Sequence, residues 1–142
     1  MKLIRQKGNT CFIASLAMCL GVKVDEIVAI IGHDGQERVS DRFVGNKGLR
    51  GVHPQELLDV CRAYGRWLVT VECYPTIGQP GSHCLDVYGE PQKRFSRIIK
   101  NEKGILATGT HAVAFDHDVV YDPHGKIGLV DDYEIQAAWI VL

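Results

Sequence analysis

The sequence predicts an α+β domain, with helices in its first half and antiparallel strands in its second. Up to Gly65 the apolar residues recur at helical spacing. From Trp67 onward, β-branched and aromatic residues gather in short runs separated by glycine, proline and aspartate. Helices first and strands later, without alternation, point to helices packed on an antiparallel sheet rather than to βαβ units. The chain has 142 residues, 46% of them apolar and 23% charged, which is one domain's worth with enough apolar surface to bury a core.

Asn9 and Thr10 are cap-type residues, and Phe12, Ile13, Leu16, Ala17 and Leu20 follow at helical spacing, so a first helix is expected to open there and close at Gly21. A short second helix is expected from Val24 to Ile31, ended by Gly32. The polar, glycine-containing stretch His33–Gly51 reads as a long loop. Pro54 in a first turn, with Leu57, Leu58 and Cys61 facing inward, opens a third helix that Gly65 ends. Trp67–Cys73 reads as a strand, Tyr74–Gly89 as an irregular surface loop and Gln92–Lys100 as a helix. Strands over Gly104–Thr108, Thr110–Phe115, Val119–Asp122 and Glu134–Leu142 close the chain.

Charge and cysteine usage narrow the function classes. Sixteen Lys and Arg against 17 Asp and Glu leave no field that would draw the chain to nucleic acid or an anionic membrane. The basic run Lys93, Arg94, Arg97, Lys100, Lys103, with Glu90 and Glu102 beside it, reads as a solvated helix face. The longest apolar stretch, Cys11–Val22, is too short and mixed to span a bilayer, and the first ten residues lack a signal peptide's apolar core. Cys11, Cys19, Cys61, Cys73 and Cys84 form an odd set without framework spacing, which suits a reducing, cytoplasmic setting. No Cys-x-x-Cys pair or zinc-finger spacing accompanies His83-Cys84 or Cys73, so no metal and no cofactor are expected.

Cys11 differs from the other cysteines by position. Only the thiolate is a strong nucleophile, and the first turn of a helix, with its free N–H groups and aligned peptide dipoles, favours that charge. The Cys11 N–H also suits a substrate carbonyl oxygen. Gln6, five residues upstream, offers a side-chain amide as second donor of an oxyanion hole.

A base is expected from the hairpin that follows. Thr110–Phe115 and Val119–Asp122 flank Asp116-His117-Asp118. A two-residue turn at Asp116-His117 sets Val113 opposite Val120 and His111 directly opposite Asp122. Ala112, Ala114, Val119 and Tyr121 then take the other face. The carboxylate would hold one tautomer of His111 and leave the other nitrogen to the thiol. The remaining histidines read as bland: His117 and His124 as solvated turn residues, His33 and His83 in loops, His53 at a helix start.

These residues resemble a known family. Gln6, then Asn9-Thr10-Cys11-Phe12-Ile13-Ala14-Ser15-Leu16-Ala17-Met18, is similar to the nucleophile segment of the bacteriocin-processing (double-glycine leader) peptidases. Leu20-Gly21-Val22 and Gly51–Leu58 resemble that family's next helices. Gly109–Phe115 followed by Val120-Tyr121-Asp122-Pro123 resembles its histidine strand and Asp-Pro turn. Phe12 stands where the family has glycine, and Gln6 lies one residue closer to the cysteine than in the family. The resemblance implies a papain-like cysteine peptidase fold over 1–142, a Cys11–His111–Asp122 triad with Gln6 at the oxyanion hole, and a peptide or protein substrate. The same triad and thioester also serve deamidation, acyl transfer and removal of protein modifiers, and the fold also occurs as a catalytically silent binding module.

Overall fold

The computed structural model describes residues 1–39, 48–71, 73, 95 and 97–142. Among the described residues three helices come first: α1 (Cys11–Leu20), α2 (Val24–Ile31) and α3 (Pro54–Ala63). Six strands follow: β1 (Leu68–Val71), β2 (Lys103–Thr108), β3 (His111–Asp116), β4 (Val119–Asp122), β5 (Lys126–Leu129) and β6 (Ala137–Val141), with a short 3-10 turn over Val130–Asp132. They form one antiparallel sheet in the order β1-β6-β2-β3-β4-β5. The architecture is α+β.

Each helix ends as its sequence suggests. Gly21 and Gly32 close α1 and α2 in the left-handed conformation, where a side chain would be strained. Pro54 opens α3, and His53 before it accepts the Gln55 N–H on its ring nitrogen while its own N–H binds Glu56.

The sheet buries both faces. On one, Ile13, Leu16 and Ala17 of α1 pack with Ile27, Leu57 and Val60 against Ile105, Ala112, Ala114 and Val141. On the other, Leu106, Val113, Phe115, Val120, Ala138 and Ile140 meet Phe95, Ile99, Val130 and Ile135. The alternation along β3, Ala112 and Ala114 to one core and Val113 and Phe115 to the other, is the strand period of two. Gly104 is required where β2 passes under α1, since a Cβ would strike the Trp139 carbonyl and the Phe115 ring.

α1 is seated by one of its ridges. Cys11, Ser15 and Cys19 fall at i, i+4 spacing and so line up along one side of the helix. The Ser15 hydroxyl donates to the Ala112 carbonyl at 3.3 Å and the Cys19 thiol to the Gly104 carbonyl at 3.1 Å. Cys19 is otherwise plain core, and burial pushes its thiol far above the usual range.

Several expectations need correction. The stretch 33–51 is not all loop: Arg38 bridges Leu49, with Val39 N–H on the Gly48 carbonyl and Arg50 N–H on the Glu37 carbonyl, so its ends form an antiparallel ribbon. Strand β5 was not expected; it follows a tight turn, Gly125 N–H to the Asp122 carbonyl at 2.8 Å, and only Ile127 and Leu129 mark it, both exposed on the sheet's border. The last strand is shorter than Glu134–Leu142, and the first spans Leu68–Val71 rather than Trp67–Cys73. Phe95 and residues 97–99 are helical, as the expected helix Gln92–Lys100 requires. Its other early residues, the stretch Tyr74–Gly89, His83, Cys84, Lys93 and Arg94 lie outside the described residues. Among the described residues, no helix is long and apolar enough to cross a membrane.

Candidate active site

Cys11 is the first residue of α1. Thr10 precedes it but does not cap the helix: its hydroxyl accepts the Lys7 N–H at 3.2 Å and donates to the Lys7 carbonyl at 3.0 Å. The tight turn thus formed leaves the first-turn N–H groups of α1 without a side-chain cap, at the edge of a cleft. That cleft, of about 300 Å³, is lined by Gln6, Asn9, Thr10, Cys11, Thr110, His111 and His124 on one side, and by Gly35, Leu49, Gly51 and Val52 of the ribbon on the other.

The hairpin supplies the next two groups. Ala114 pairs with Tyr121 and Asp116 with Val119, so the turn is His117-Asp118, and His117 adopts φ 61° within it. The turn is therefore one residue further along than expected, and the register moves by two: Asp122 comes opposite Val113 and lies diagonal to His111. A shift of two keeps the faces, because side chains alternate with period two. His111 and Asp122 remain on one side and meet, Nε2 to Oδ1 at 2.7 Å.

His111 opens β3, so its ring stands at the rim of the sheet, within reach of the start of α1. It lines the same cleft as Cys11, near enough for the imidazole and the thiol to act on each other's charge. With Nε2 on the carboxylate, Nδ1 is the nitrogen left for the thiol. Burial pushes the Cys11 thiol up, but the His111 hydrogen bond, the Ala112 N–H, the His111 charge and the Phe12 N–H together hold it below its ordinary value of 9.0. The hydrogen bond to Cys11 is the largest effect on His111 and, with Asp122, outweighs burial to raise the imidazole above 6.5. The two shifts are reciprocal: each group stabilises the other's charged form.

Asp122 is buried, and burial alone would raise its carboxyl. The His124 N–H, at 2.8 Å from Oδ1, and the His111 ring reverse that and hold it below the usual range. The Tyr133 hydroxyl lies 3.4 Å from Oδ2. The bond from the N–H two residues on is an Asx turn, which fixes the carboxylate before any tertiary contact is made.

Gln6 enters the cleft because the N-terminal segment is stitched to the same turn, Gln6 N–H donating to the Pro123 carbonyl at 3.0 Å. Its Nε2 donates to the Gly8 carbonyl at 2.6 Å, leaving one amide hydrogen, while its buried Oε1 has no partner among the described residues. Loop and ribbon are clasped by Gln36, whose Oε1 accepts the Asn9 N–H. The ribbon is tied in turn to α3 by His33, which bonds Glu56 at 2.7 Å through Nε2 and accepts the Gly35 N–H on Nδ1.

Thus Cys11, His111 and Gln6, all named from the sequence, line one cleft, and Asp122, also named, is bonded to His111 behind it. His124, read as a solvated turn residue, is exposed in a turn as expected, but the stacking of its ring was not foreseen. Its ring lies flat on the ring of His111, centroids 4.2 Å apart and planes 3° from parallel. Only the Asp-Pro-His order, which puts a ring two residues beyond the orienting carboxylate, could have signalled it. His111, Asp122 and His124 offer ligand atoms within 4.8 Å of one another. Ring-nitrogen lone pairs lie in the ring plane, and two stacked rings keep theirs in two separate parallel planes, so the two rings as they stand do not converge on one ion.

No protein-family model, curated protein or solved structure matches the chain. The functional reading therefore rests on the geometry of the cleft.

Proposed function

We propose that the chain is a cysteine hydrolase of papain-like arrangement, cleaving a peptide or amide bond through Cys11, His111 and Asp122. The observation that carries this is the arrangement of Cys11 at an uncapped helix start, the His111 ring on the same cleft, and a buried carboxylate bonded to that ring at 2.7 Å. Each link lowers the free energy of a thiolate–imidazolium pair at neutral pH.

In the reaction so derived, the Cys11 thiolate attacks the carbonyl carbon and the oxygen takes up the negative charge. The Cys11 N–H and the second amide hydrogen of Gln6 are the donors at hand, a pair of the kind worth about 10²–10³ in rate per donor. His111 then gives its proton to the leaving amine, the C–N bond breaks and a thioester remains. Water, deprotonated by His111, releases the acid and restores the thiol. Asp122 keeps Nε2 protonated throughout, so that Nδ1 does the proton transfer. Deamidation, acyl transfer and modifier removal differ only in the acyl donor and in what replaces water.

The resemblance to the double-glycine leader peptidases supports the same chemistry and a peptide or protein substrate, and the thiolate fits a reducing, cytoplasmic setting. The experiment is alkylation with iodoacetamide at about pH 6–7, where an ordinary thiol is largely protonated and unreactive, read by intact mass on the wild type and on Cys11→Ala. One early adduct, absent from the variant, is expected. Faster labelling of Cys73 or Cys84 with Cys11 inert would overturn the assignment.

A further inference from the structure

We propose that His124 is a positioning residue, whose ring, stacked on His111, holds that imidazole in the one plane that serves both Cys11 and Asp122. A histidine side chain turns freely about its second side-chain bond unless something restrains it, since that torsion is broad rather than three-fold. Asp122 restrains one edge of the His111 ring through a bond at 2.7 Å, and a bond to one edge resists out-of-plane rocking weakly. A second ring laid flat against the face blocks that motion directly.

The local sequence builds this arrangement from one turn. The Asp122 carboxylate takes the His124 N–H at 2.8 Å and the His111 ring at 2.7 Å on the same oxygen, Oδ1. That shared oxygen fixes where His124 leaves the turn, and its ring falls 4.2 Å from that of His111 with 3° between the planes. The His124 side chain is 62% exposed, so its placement does not come from burial in a core. It lines the cleft.

Electrostatics favours the stack when His111 is charged. A neutral ring presents its negative face to an imidazolium, a cation–π contact, whereas two imidazolium rings would repel. The titratable and charged groups around His111 are Cys11 from α1, Asp122 from β4 and His124 from the turn, with the Tyr133 hydroxyl on Asp122 and the Arg5 guanidinium against Gly125. Among these described groups, His124 is the one whose ring lies against the face of His111.

The functional meaning rests on the cysteine-hydrolase reading, but the test separates the two. His124→Ala and His124→Phe are compared with the wild type by NMR titration of His111 and by the pH dependence of Cys11 alkylation. Both variants keep the backbone N–H on Asp122, so only the ring is altered. In His124→Ala the His111 titration should fall toward its ordinary value. The alkylation midpoint should rise by about one pH unit, a tenfold loss of thiolate below it. His124→Phe restores a ring face and should bring alkylation back to within about twofold of the wild type. If His124→Ala moves neither quantity, or if His124→Phe behaves like His124→Ala, the positioning role is overturned. If wild-type Cys11 alkylates as an ordinary thiol while the His111 titration still follows the ring at position 124, the hydrolase reading fails and the positioning role stands.

Discussion

Asp122 answers to three partners at once, and that makes it the residue whose removal is most informative. Its carboxylate accepts from His111 and from the His124 N–H on one oxygen and faces Tyr133 with the other. Asp122→Asn preserves an acceptor for both N–H groups if its amide oxygen takes the place of Oδ1, but it removes the charge that helps raise His111. The expected result is a graded loss: His111→Ala should cost about 10²-fold or more in turnover, and Asp122→Asn less. The pH profile carries the sign. Activity rises as Cys11 ionises and falls as His111 loses its proton, so Asp122→Asn should move the alkaline limb to lower pH and leave the acid limb nearer its place. A silent Asp122→Asn in such a rate–pH series would remove it from the site. At this scale most of the cleft was legible: a cysteine at a cap, a histidine and an aspartate across a short turn, and a glutamine upstream are local patterns. His124 was not, because a histidine in a polar turn has the same sequence signature whether its ring is solvated or stacked.

At the scale of elements, α1 ties catalytic geometry to packing. Its i, i+4 ridge seats Ser15 on the Ala112 carbonyl one turn below Cys11, whose thiolate the Ala112 N–H also favours. The β3–β4 ladder is recorded no further than Ala114 with Tyr121, which leaves Ala112 beyond it to serve the helix. Ser15→Ala should leave a buried carbonyl without its donor and cost about 1–3 kcal/mol in unfolding free energy. Denaturant unfolding would measure it, and a loss below about 0.3 kcal/mol would show that the 3.3 Å bond contributes nothing. Helices and central strands were readable because their apolar period is long and regular. The hairpin register was not, since the turn moved one residue to let His117 adopt a positive φ, and period alone fixes a strand's face but not its pairing. Strand β5 escaped notice because four border residues with two glycine-separated apolar positions carry little signal.

For the whole molecule, acid should be the weak side. Asp122 and Glu56 both sit below their usual values in the folded protein. For each, burial opposes the shift, while the His124 N–H and His111 ring lower the first and His33, the His53 N–H and Arg50 lower the second. A carboxyl whose folded value is depressed adds stability that is complete above its unfolded value of about 4 and is lost as pH falls through the folded value. Thermal unfolding followed from about pH 7 to about pH 3 should therefore show a plateau and then a decline, beginning near the unfolded carboxyl value. Glu56→Gln should start from a lower plateau and decline less; an unaltered slope would show that the ribbon's anchorage on α3 is not part of the acid response. The α+β arrangement itself followed from the order of periodicities, whereas the clasp of Gln36 between loop and ribbon came from contacts far apart in the chain.

The border strand β5 has a further consequence, for how the protein behaves in concentrated solution. Among the described residues nothing pairs with its outer side, and Ile127 and Leu129 stand exposed along it. Such a border invites a second chain to add itself as a neighbouring strand. Four residues give it little length to do so, and Lys126 at its start would set like charges against each other in an antiparallel pairing of two copies only where the registers bring them close. Colloidal stability therefore depends on brevity more than on charge at this border, and lengthening β5 would favour pairing of copies edge to edge.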